Sequence, residues 1–546
     1  MTTYLPVRIN PAAGVVVTLA AFLITACGIE ATQMPTTPHL LASVTATSTL
    51  TSTPVQPTPT ATPIPPTPTH TDMSSPTFTP SPVPTSPIAT STSPVTAVQE
   101  NSATTPGPET AVQPSVTVSE TTIILPTYPI WDYLMEQLDP RYNLPVLYFN
   151  RPDFEAVAPT PAPVNYKAVI LENAYLKLTF LPELGGRLYS AVLKPDQEIF
   201  YHNPVVKPSR YGGLQPPETN WWLAVGGMEW AYPTQEHGYR WGVSWSYRVV
   251  QADDRATIIL SDMAPGRVGA EVEVTLPADS AAFTVIPRLV NNTAGTVPIQ
   301  FWLNAALTLG SASMSSRTQF VVPTDTVVVH SRGAEGWLLP EAKDLMTWPQ
   351  VGTLDLSNYS QWANYLGVFI PNLKAPFMGA YNPDTDLGVV RLIQPGTVPG
   401  SKLFAFGPAF PDRSYTDNGS QYFEIWGGAN TGFWPEADIN LPAGASVQWQ
   451  ESWWPLAALG GITWANQAAA IYLGQNGHTH HLALLAANPR RVTVTVMAGE
   501  KLVLTETVSV APDKPLRWDF KALEGPISVK IASPDGSLLL DYCQEY

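Results

Sequence analysis

Tyr175-Leu-Lys-Leu-Thr-Phe180 alternates apolar and polar residues with a period of two, which is the pattern of a strand with one buried face. Tyr166-Lys-Ala-Val-Ile-Leu171 precedes it, and Val272-Glu-Val-Thr-Leu276 repeats the pattern about a hundred residues later. Helical periodicity is weak, and the only candidate helices are Trp131–Leu138 and Thr463–Tyr472. Many strands without intervening helices predict an all-β protein built from packed antiparallel sheets.

The composition divides the chain into two unlike regions. Its 546 residues include 57 Pro and 17 Trp, and every Trp lies at Trp131 or later. The net charge is -16, from 28 Lys and Arg against 44 Asp and Glu, so binding to nucleic acid is not expected because it needs a positive surface. Two Cys exclude a disulfide scaffold and a Cys-based zinc module.

The first 26 residues have the features of a secretory signal peptide. The apolar run from Gly14 to Ile24 is too short to remain as a helix across a bilayer. It ends in Ala26-Cys27, which resembles a bacterial lipobox, and the resemblance implies an acylated Cys27 that binds the lipid bilayer. We therefore expect an extracytoplasmic lipoprotein anchored to the bacterial cell membrane; the alternative is an ordinary signal peptide with a chance Cys.

Residues 27–125 are expected to be a disordered linker. Thr, Ser and Pro make up more than half of the residues between Ala31 and Leu125, and Phe78 is the only aromatic residue there. Such a segment cannot bury enough apolar surface to offset its chain entropy. It is expected to hold a globular part away from the membrane, although a degenerate linker without a length requirement is the alternative. Beyond it we predict a large β domain at 126–458 and a small β-sandwich at 459–546.

Three stretches of the large domain carry a resemblance to a known superfamily. They are Leu181-Pro-Glu-Leu-Gly-Gly-Arg-Leu-Tyr-Ser190, Gly226-Gly-Met-Glu-Trp-Ala-Tyr-Pro-Thr-Gln-Glu-His-Gly238 and Tyr422-Phe-Glu-Ile-Trp-Gly-Gly428. In this order they resemble the galactose-mutarotase-like superfamily. Phe301-Trp-Leu-Asn-Ala-Ala306 and Trp449-Gln-Glu-Ser-Trp-Trp-Pro455 are similar to an uncharacterised bacterial branch often found with tetratricopeptide repeats. The resemblance implies a large antiparallel supersandwich with a sugar-binding cleft on one concave face.

The resemblance also implies roles for single residues. Mutarotation needs a base for the anomeric hydroxyl proton and an acid for the ring oxygen, and the resemblance assigns Glu424 as base and His237 as acid. Active mutarotases carry a second His where this chain has Asn304, which binds hydroxyls but does not carry a proton at neutral pH. Glu229 and Glu236, close to His237 in sequence, could instead supply a carboxylate pair of the kind that glycoside cleavage uses.

Aromatic residues crowd the sequence around His237. Sugar rings stack on Trp and Tyr, while polar groups at the rim bind the hydroxyls. The alternative is that these rings fill the core of the β domain. The predicted substrate-binding residues are Arg210, Trp222, Trp230, Tyr232, Trp241 and Asn304.

Three functions remain open from the sequence. The first is a membrane-anchored surface lipoprotein that binds carbohydrate; the second is a sugar-active enzyme, an epimerase or a glycoside hydrolase or lyase, that uses Glu424 and His237. The third is a structural surface protein, in which His237, Glu229 and Glu424 would not converge. No cofactor and no metal ion are expected, and the protein is expected to be a monomer.

Overall fold

The computed structural model of the protein describes most of the chain from residue 114 onward. Cys27 and the greater part of the expected linker lie outside the described residues. None of the helices in the described part is long and apolar enough to cross a membrane. The described residues are 114–139, 142–210, 221–234, 236–240, 242–393, 397–408, 415–521 and 525–544.

Strands dominate the described residues. The first twelve are β1 (Thr117–Thr127), β2 (Leu134–Leu138), β3 (Pro145–Phe149), β4 (Ala162–Glu172), β5 (Leu176–Leu181), β6 (Arg187–Leu193), β7 (Gln197–Glu198), β8 (His202–Arg210), β9 (Trp221–Gly226), β10 (Met228–Ala231), β11 (Ser246–Ala252) and β12 (Arg255–Asp262). The next twelve are β13 (Val268–Pro277), β14 (Phe283–Asn291), β15 (Val297–Ile299), β16 (Trp302–Leu307), β17 (Gln319–Val321), β18 (Thr326–Arg332), β19 (Leu345–Thr347), β20 (Gln350–Val351), β21 (Leu354–Asp355), β22 (Leu366–Phe369), β23 (Phe377–Asn382) and β24 (Leu387–Leu392). The last thirteen are β25 (Gly400–Ala405), β26 (Phe423–Gly428), β27 (Ile439–Leu441), β28 (Ser446–Gln448), β29 (Glu451–Ala457), β30 (Trp464–Ala465), β31 (Ala469–Asn476), β32 (Thr479–Ala486), β33 (Arg490–Ala498), β34 (Lys501–Val510), β35 (Leu516–Lys521), β36 (Ile527–Ala532) and β37 (Leu538–Cys543).

Two large sheets form the main domain. One has 14 strands in the order β19-β18-β22-β25-β26-β16-β10-β6-β5-β4-β1-β8-β9, with β7 beside β6. The other has nine strands in the order β11-β12-β13-β14-β29-β24-β23-β17, with β28 beside β14. Almost every pairing is antiparallel, and a continuous apolar core is shared by strands of both sheets. The predicted all-β class with large antiparallel sheets is confirmed.

A buried arginine, paired with a carboxylate of its own sheet, links the two sheets to each other. Arg391 of β24 and Glu451 of β29 are fully buried and lie 2.8 Å apart from Nη2 to Oε2. Arg391 also donates to Ser401 Oγ of β25, in the other sheet, at 2.8 Å. The indole N–H groups of Trp449 and Trp453 donate to the carboxylate of Glu451 at 3.0 and 2.8 Å. The Trp-rich motif at 449–455 therefore serves the core.

The C-terminal strands form the small β-sandwich that was predicted. Its sheets are β30-β31-β32-β35 and β34-β33-β36-β37, and they enclose a separate apolar cluster that includes Val494 and Val529. The module is joined to the large domain by backbone and side-chain hydrogen bonds. Ala281 N and Ser280 Oγ both donate to Ala487 O, at 2.8 and 3.1 Å.

Both helix predictions are wrong. Trp131–Leu138 is a 3-10 turn (Trp131–Tyr133) followed by β2, and Thr463–Tyr472 contains β30 and the start of β31. In each case pairing with a neighbouring strand, β3 or β32, satisfies the backbone and overrides a weak local preference. Further 3-10 turns lie at Tyr359–Gln361 and Pro435–Ala437, and one α-helix in the described ranges, α1, spans Arg151–Val157.

The ordered fold begins earlier than the expected end of the linker at 125. Strand β1 starts at Thr117 and pairs with β4 along its whole length, from Thr117 opposite Glu172 to Thr127 opposite Ala162. The side chains of Ile123 and Leu125 pack against a second apolar cluster of the large domain. The composition of this segment is linker-like, but a sheet edge supplies the hydrogen bonds that it could not form alone.

Candidate functional site

The register of three neighbouring strands gathers the candidate residues on one face of the 14-stranded sheet. Glu229 of β10 lies opposite Asn304 of β16, and Asn304 lies opposite Trp426 of β26. Glu424 is two residues before Trp426 and therefore points to the same face. The next side chains along, such as Met228 and Ile425, point to the opposite face and enter the main core. Alternation along the strands thus separates the polar site from the core.

A buried imidazole and carboxylate form the tightest contact of this face. His237 Nδ1 lies 2.5 Å from Glu229 Oε1, and both residues are buried. The other carboxylate oxygen of Glu229 accepts from Arg187 Nη2 at 3.2 Å, and Arg187 also donates to Gly226 O at 2.8 Å. Burying three charged groups costs free energy unless they are paired. Such buried and paired charges are concentrated at functional sites, so this geometry makes the face a candidate site.

His237 is held in position by its neighbours in the turn that follows β10. Gly238 has a φ of +64°, and a Cβ there would lie 2.2 Å from the backbone N of Tyr232. Trp222 of β9 stacks on the imidazole with centroids 5.0 Å apart, and Trp426 meets it edge-on at 5.1 Å. The ring is therefore fixed on two sides by aromatic residues and on a third by Glu229.

Asn304 connects the two carboxylates. Its Nδ2 donates to Glu229 Oε1 and to Glu424 Oε1, each at 3.3 Å, and this choice of donor follows from both neighbours being acceptors. Its Oδ1 is buried and has no hydrogen-bond partner among the described residues. The second oxygen of Glu424 accepts from the indole of Trp426 at 2.8 Å. An acceptor that is buried and unsatisfied at such a site is available to a hydroxyl or to a water.

The protonation preferences of the three ionisable groups diverge. Burial alone would raise the pKa of Glu229, but the adjacent His237 and Arg187 outweigh it, and the pKa lies below its ordinary value. Burial would lower the pKa of His237, yet Glu229 and then Glu424 reverse this and the pKa is raised. Burial dominates for Glu424, whose pKa is raised although Lys402 and His237 pull it down. The face thus combines a carboxyl group whose charged form is favoured, an imidazole whose protonated form is favoured and a second carboxyl group whose neutral form is favoured.

Two residues that were not predicted, Lys402 and His330, extend this face together with Glu236, which was a candidate for the carboxylate pair. Lys402 of β25 lies opposite Trp426, and its Nζ is 4.3 Å from the centre of the indole ring. It contacts Glu236 Oε1 at 3.5 Å, and the same oxygen lies 4.0 Å from His330 Nδ1. Burial lowers the pKa of Lys402 and lowers that of His330 to about 4. Strand order, which brings β18, β22 and β25 beside β26, is what places them here.

The described residues of this face enclose a small cavity. Its walls include Trp222, Arg187, Glu229, Asn304 and Tyr422, and its volume is about 20 Å³. A cavity needs roughly 10–15 Å³ to hold one water, so this space suits a water and not a pyranose. The open sugar cleft that the resemblance implies is not seen among these residues, because β9 places Trp222 over the imidazole.

The remaining predicted residues lie apart from the face. Trp230 belongs to the main core and donates from Nε1 to Gly186 O at 3.0 Å, because it follows Glu229 directly and points the opposite way. Tyr232 is also in the core, with its hydroxyl 2.5 Å from Asp262 Oδ2. The expectation that these two rings bind substrate is therefore wrong. Arg210 ends β8, but its side chain lies outside the described residues, as does Trp241.

This geometry defines an all-β protein of two large sheets with a buried acid–base cluster on one outer face. The chain belongs to the family described as a domain of unknown function, DUF5107, whose model matches residues 144–455. The matched range includes all the residues of this buried cluster, namely Arg187, Glu229, His237, Asn304 and Glu424.

Solved structures resemble part of the chain. A TPR-domain containing protein from Parabacteroides distasonis matches with 23% identity and a TM-score of 0.50, covering 62% of this chain and 55% of that chain, so this chain spans about half the length of that protein. A galactose mutarotase-like protein from Clostridium acetobutylicum matches with 10% identity and a TM-score of 0.38, covering 54% and 96%. A putative aldose 1-epimerase from Klebsiella pneumoniae matches with 12% identity and a TM-score of 0.37, covering 62% and 92%. The match to the TPR-domain containing protein, at a TM-score of 0.50, is a likeness of fold.

Proposed function

We propose that the protein binds a carbohydrate at the face that carries Glu229, His237, Asn304 and Glu424. One observation carries the proposal: these four residues, from three strands and a turn spread over some 200 positions, meet within hydrogen-bond distance of one another. A purely structural surface protein has no need of such convergence. The unsatisfied Oδ1 of Asn304 and the aromatic ring of Trp222 add an acceptor and a stacking surface, the two features that sugar sites combine.

Binding at this face requires Trp222 to move away from His237. The present cavity holds about one water, and Trp222, which forms part of its wall, is stacked on His237. A sugar that enters between the two rings would stack on the indole of Trp222 and gain hydrogen bonds to the carboxylates. Carbohydrate binding is therefore expected to change the fluorescence of Trp222.

A second candidate, proton transfer on the bound sugar, is favoured by the opposed pKa shifts. A carboxyl group with a raised pKa is a suitable base near neutral pH, and an imidazolium is a suitable acid. Glu424 and His237 would then exchange protons with the anomeric hydroxyl and the ring oxygen. Asn304 would orient the base and donate no proton of its own.

One calorimetric series tests binding. The full chain is titrated with glucose, galactose, cellobiose and lactose, and Glu424→Gln and Glu273→Gln are compared with the wild type. Glu273 is half-buried on β13, in the other large sheet, and serves as the matched control. We expect saturable binding by the wild type and the control, and a loss of at least tenfold in affinity with Glu424→Gln. Equal affinity of all three proteins for every bound sugar would refute the site.

Polarimetry separates the two candidates. If Glu424 and His237 transfer protons, the wild type accelerates the interconversion of glucose or galactose anomers, and Glu424→Gln loses roughly 10²–10⁴ of that rate. Binding without any acceleration would leave carbohydrate recognition as the function of the face.

We also propose that Cys27 is acylated and that residues 27–113 connect the domain to the bacterial membrane at its outer side. The lipobox-like Ala26-Cys27 and the Thr, Ser and Pro content of the linker support this. Cys27→Ser is expected to move the protein from the membrane fraction to the soluble extracytoplasmic fraction and to remove the mass of a diacylglycerol. Membrane retention of Cys27→Ser without a lipid mass in the wild type would contradict the proposal.

A further inference from the structure

A second cavity lies where the C-terminal module meets the large domain. Its volume is about 740 Å³, against about 20 Å³ at the acid–base face. One wall comes from the large sheet, from Glu172 to Gln197, and the other from Ala457, Ala458 and the loop at Pro512–Pro515 of the module. Ligand sites occupy roughly 300–1,000 Å³ and occur preferentially at domain interfaces, so this groove has the size and the place of one.

The groove has rigid walls. Asn173, beside Glu172, donates from Nδ2 to Pro277 O and Ser280 O at 2.6 and 2.7 Å. On the other side Arg517 Nη2 donates to Ala458 O at 2.5 Å, which fixes the module strand β35 to the end of β29. Preformed walls reduce the ordering cost of binding.

Four polar groups in the groove are without partners. The ammonium of Lys177, the amide of Gln197, the carboxylate of Asp513 and the hydroxyl of Tyr175 line it, and none has a side-chain hydrogen bond or an ion pair among the described residues. Together they offer donors and acceptors from both domains. Burial, followed by the negative charge of Asp513, raises the pKa of Tyr175, so these two groups of different domains lie within electrostatic range.

The charges in the groove balance. Lys194 Nζ pairs with Glu172 Oε1 at 2.6 Å, and the unpaired Lys177 and Asp513 are opposite in sign. A groove without net charge does not select a phosphate or another anion. The phenol ring of Tyr175 and the rings of Pro512 and Pro515 supply apolar surface between the polar groups. Mixed donors and acceptors with apolar walls suit a neutral ligand rich in hydroxyl groups.

We propose that this groove is a second carbohydrate site, which takes a neutral sugar unit between the large domain and the C-terminal module. Its ligand class follows from the groove itself and does not depend on catalysis or binding at the acid–base face. Lys177, Gln197 and Asp513 bind hydroxyl groups, and the ring of Tyr175 contacts the apolar face of the sugar. A glycan bound here would contact both the large domain and the C-terminal module.

The test is a glycan array with the full chain, in which neutral mono- to tetrasaccharides are printed beside glucuronate-containing glycans, with inorganic phosphate as a soluble competitor. The groove variant is Lys177→Ala/Asp513→Ala. Its matched control is Asp254→Ala/Arg255→Ala, which also removes one charge of each sign, from an exposed pair at the turn between β11 and β12. Thermal unfolding of each variant verifies that it is folded.

We expect at least one neutral glycan whose binding falls tenfold or more in the groove variant and is unchanged in the control and in Glu424→Gln. Three results overturn the inference. Binding of every glycan that is equal in the groove variant and the wild type refutes this site while leaving the acid–base face intact. Binding only of glucuronate-containing glycans, or competition by phosphate, refutes the neutral ligand. Absence of any glycan binding by the wild type refutes both carbohydrate proposals.

Discussion

Replacing Glu229 by Gln is the most informative single change, because this carboxylate holds the acid–base face together. Its oxygens accept from His237 at 2.5 Å, from Arg187 at 3.2 Å and from Asn304 at 3.3 Å. Glu229→Gln keeps the size of the side chain and removes the charge, which leaves a buried guanidinium without a counter-charge. Removing one partner of a buried ion pair costs about 3–5 kcal/mol, so we expect the free energy of unfolding to fall by that amount at pH 5.

The loss depends on pH in a defined direction. In Glu229→Gln the burial of His237 is offset only by Glu424 and Glu236, so the pKa of the imidazole is expected to fall below its value in the wild type. Less of the imidazole is protonated at pH 8 than at pH 5, so the loss of stability is expected to be smaller at pH 8. Arg187 remains charged at both pH values and keeps part of the cost.

Urea unfolding followed by Trp fluorescence measures the free energy at both pH values, and NMR of the imidazole Cε1–H signals measures the pKa of His237. Glu273→Gln on β13 is the control and is expected to stay within about 0.5 kcal/mol of the wild type. A Glu229→Gln protein as stable as that control, or one whose His237 titrates as in the wild type, would refute this account of the cluster.

Three further predictions follow from neighbouring contacts. In the wild type the Glu229–His237 pair is expected to contribute most to the free energy of unfolding between about pH 4.3 and 6.5. The contribution of Glu229, whose pKa is lowered, is lost as the pH falls, and that of His237, whose pKa is raised, is lost as the pH rises. A difference in stability between the wild type and Glu229→Gln that does not vary with pH would contradict this. Glu451→Gln is expected to lower the free energy of unfolding by about 3–5 kcal/mol, because this carboxylate is fully buried in the core and pairs with Arg391 there. Its affinity for sugar in calorimetry is expected to be unchanged. A variant as stable as the wild type, or one with altered sugar affinity, would contradict this prediction. Gly238→Ala is expected to weaken sugar binding and to lower the stability of the protein more than Gly266→Ala does. Both glycines have a left-handed φ, but only at Gly238 would a Cβ lie against the backbone, at 2.2 Å. Equal unfolding curves for the two variants would disprove the close approach.

The amino-acid sequence was sufficient for the fold class, and it named four residues that the structure brings together, Glu229, His237, Asn304 and Glu424. Period-two alternation predicts the strands, and the motifs around His237 and Glu424 name residues that meet in the structure. The same alternation also separates Glu229 from Trp230, since adjacent residues of a strand point to opposite faces. The number of aromatic residues around His237 carries no information on which face each ring occupies, and Trp230 and Tyr232 lie in the main core.

Other features depend on contacts between distant parts of the chain. Lys402 and His330 join the face because β25 and β18 pair beside β26, and no local pattern specifies that strand order. Thr117 to Leu125 reads as linker by composition and becomes a strand because β4 offers a pairing edge. The groove beside Lys177 arises only when the C-terminal module docks on the large domain.

The imidazole signal of His237 gives the most direct test of carbohydrate binding at the acid–base face. Glucose, galactose, cellobiose and lactose are added in turn to the full chain while the histidine Cε1–H resonances are followed, with His237→Gln used for assignment. We predict that a sugar which binds at this face shifts the His237 resonance in a saturable way and leaves that of His481, on β32 of the C-terminal module, unchanged. Saturable binding by calorimetry together with an unmoved His237 resonance would contradict this placement of the site.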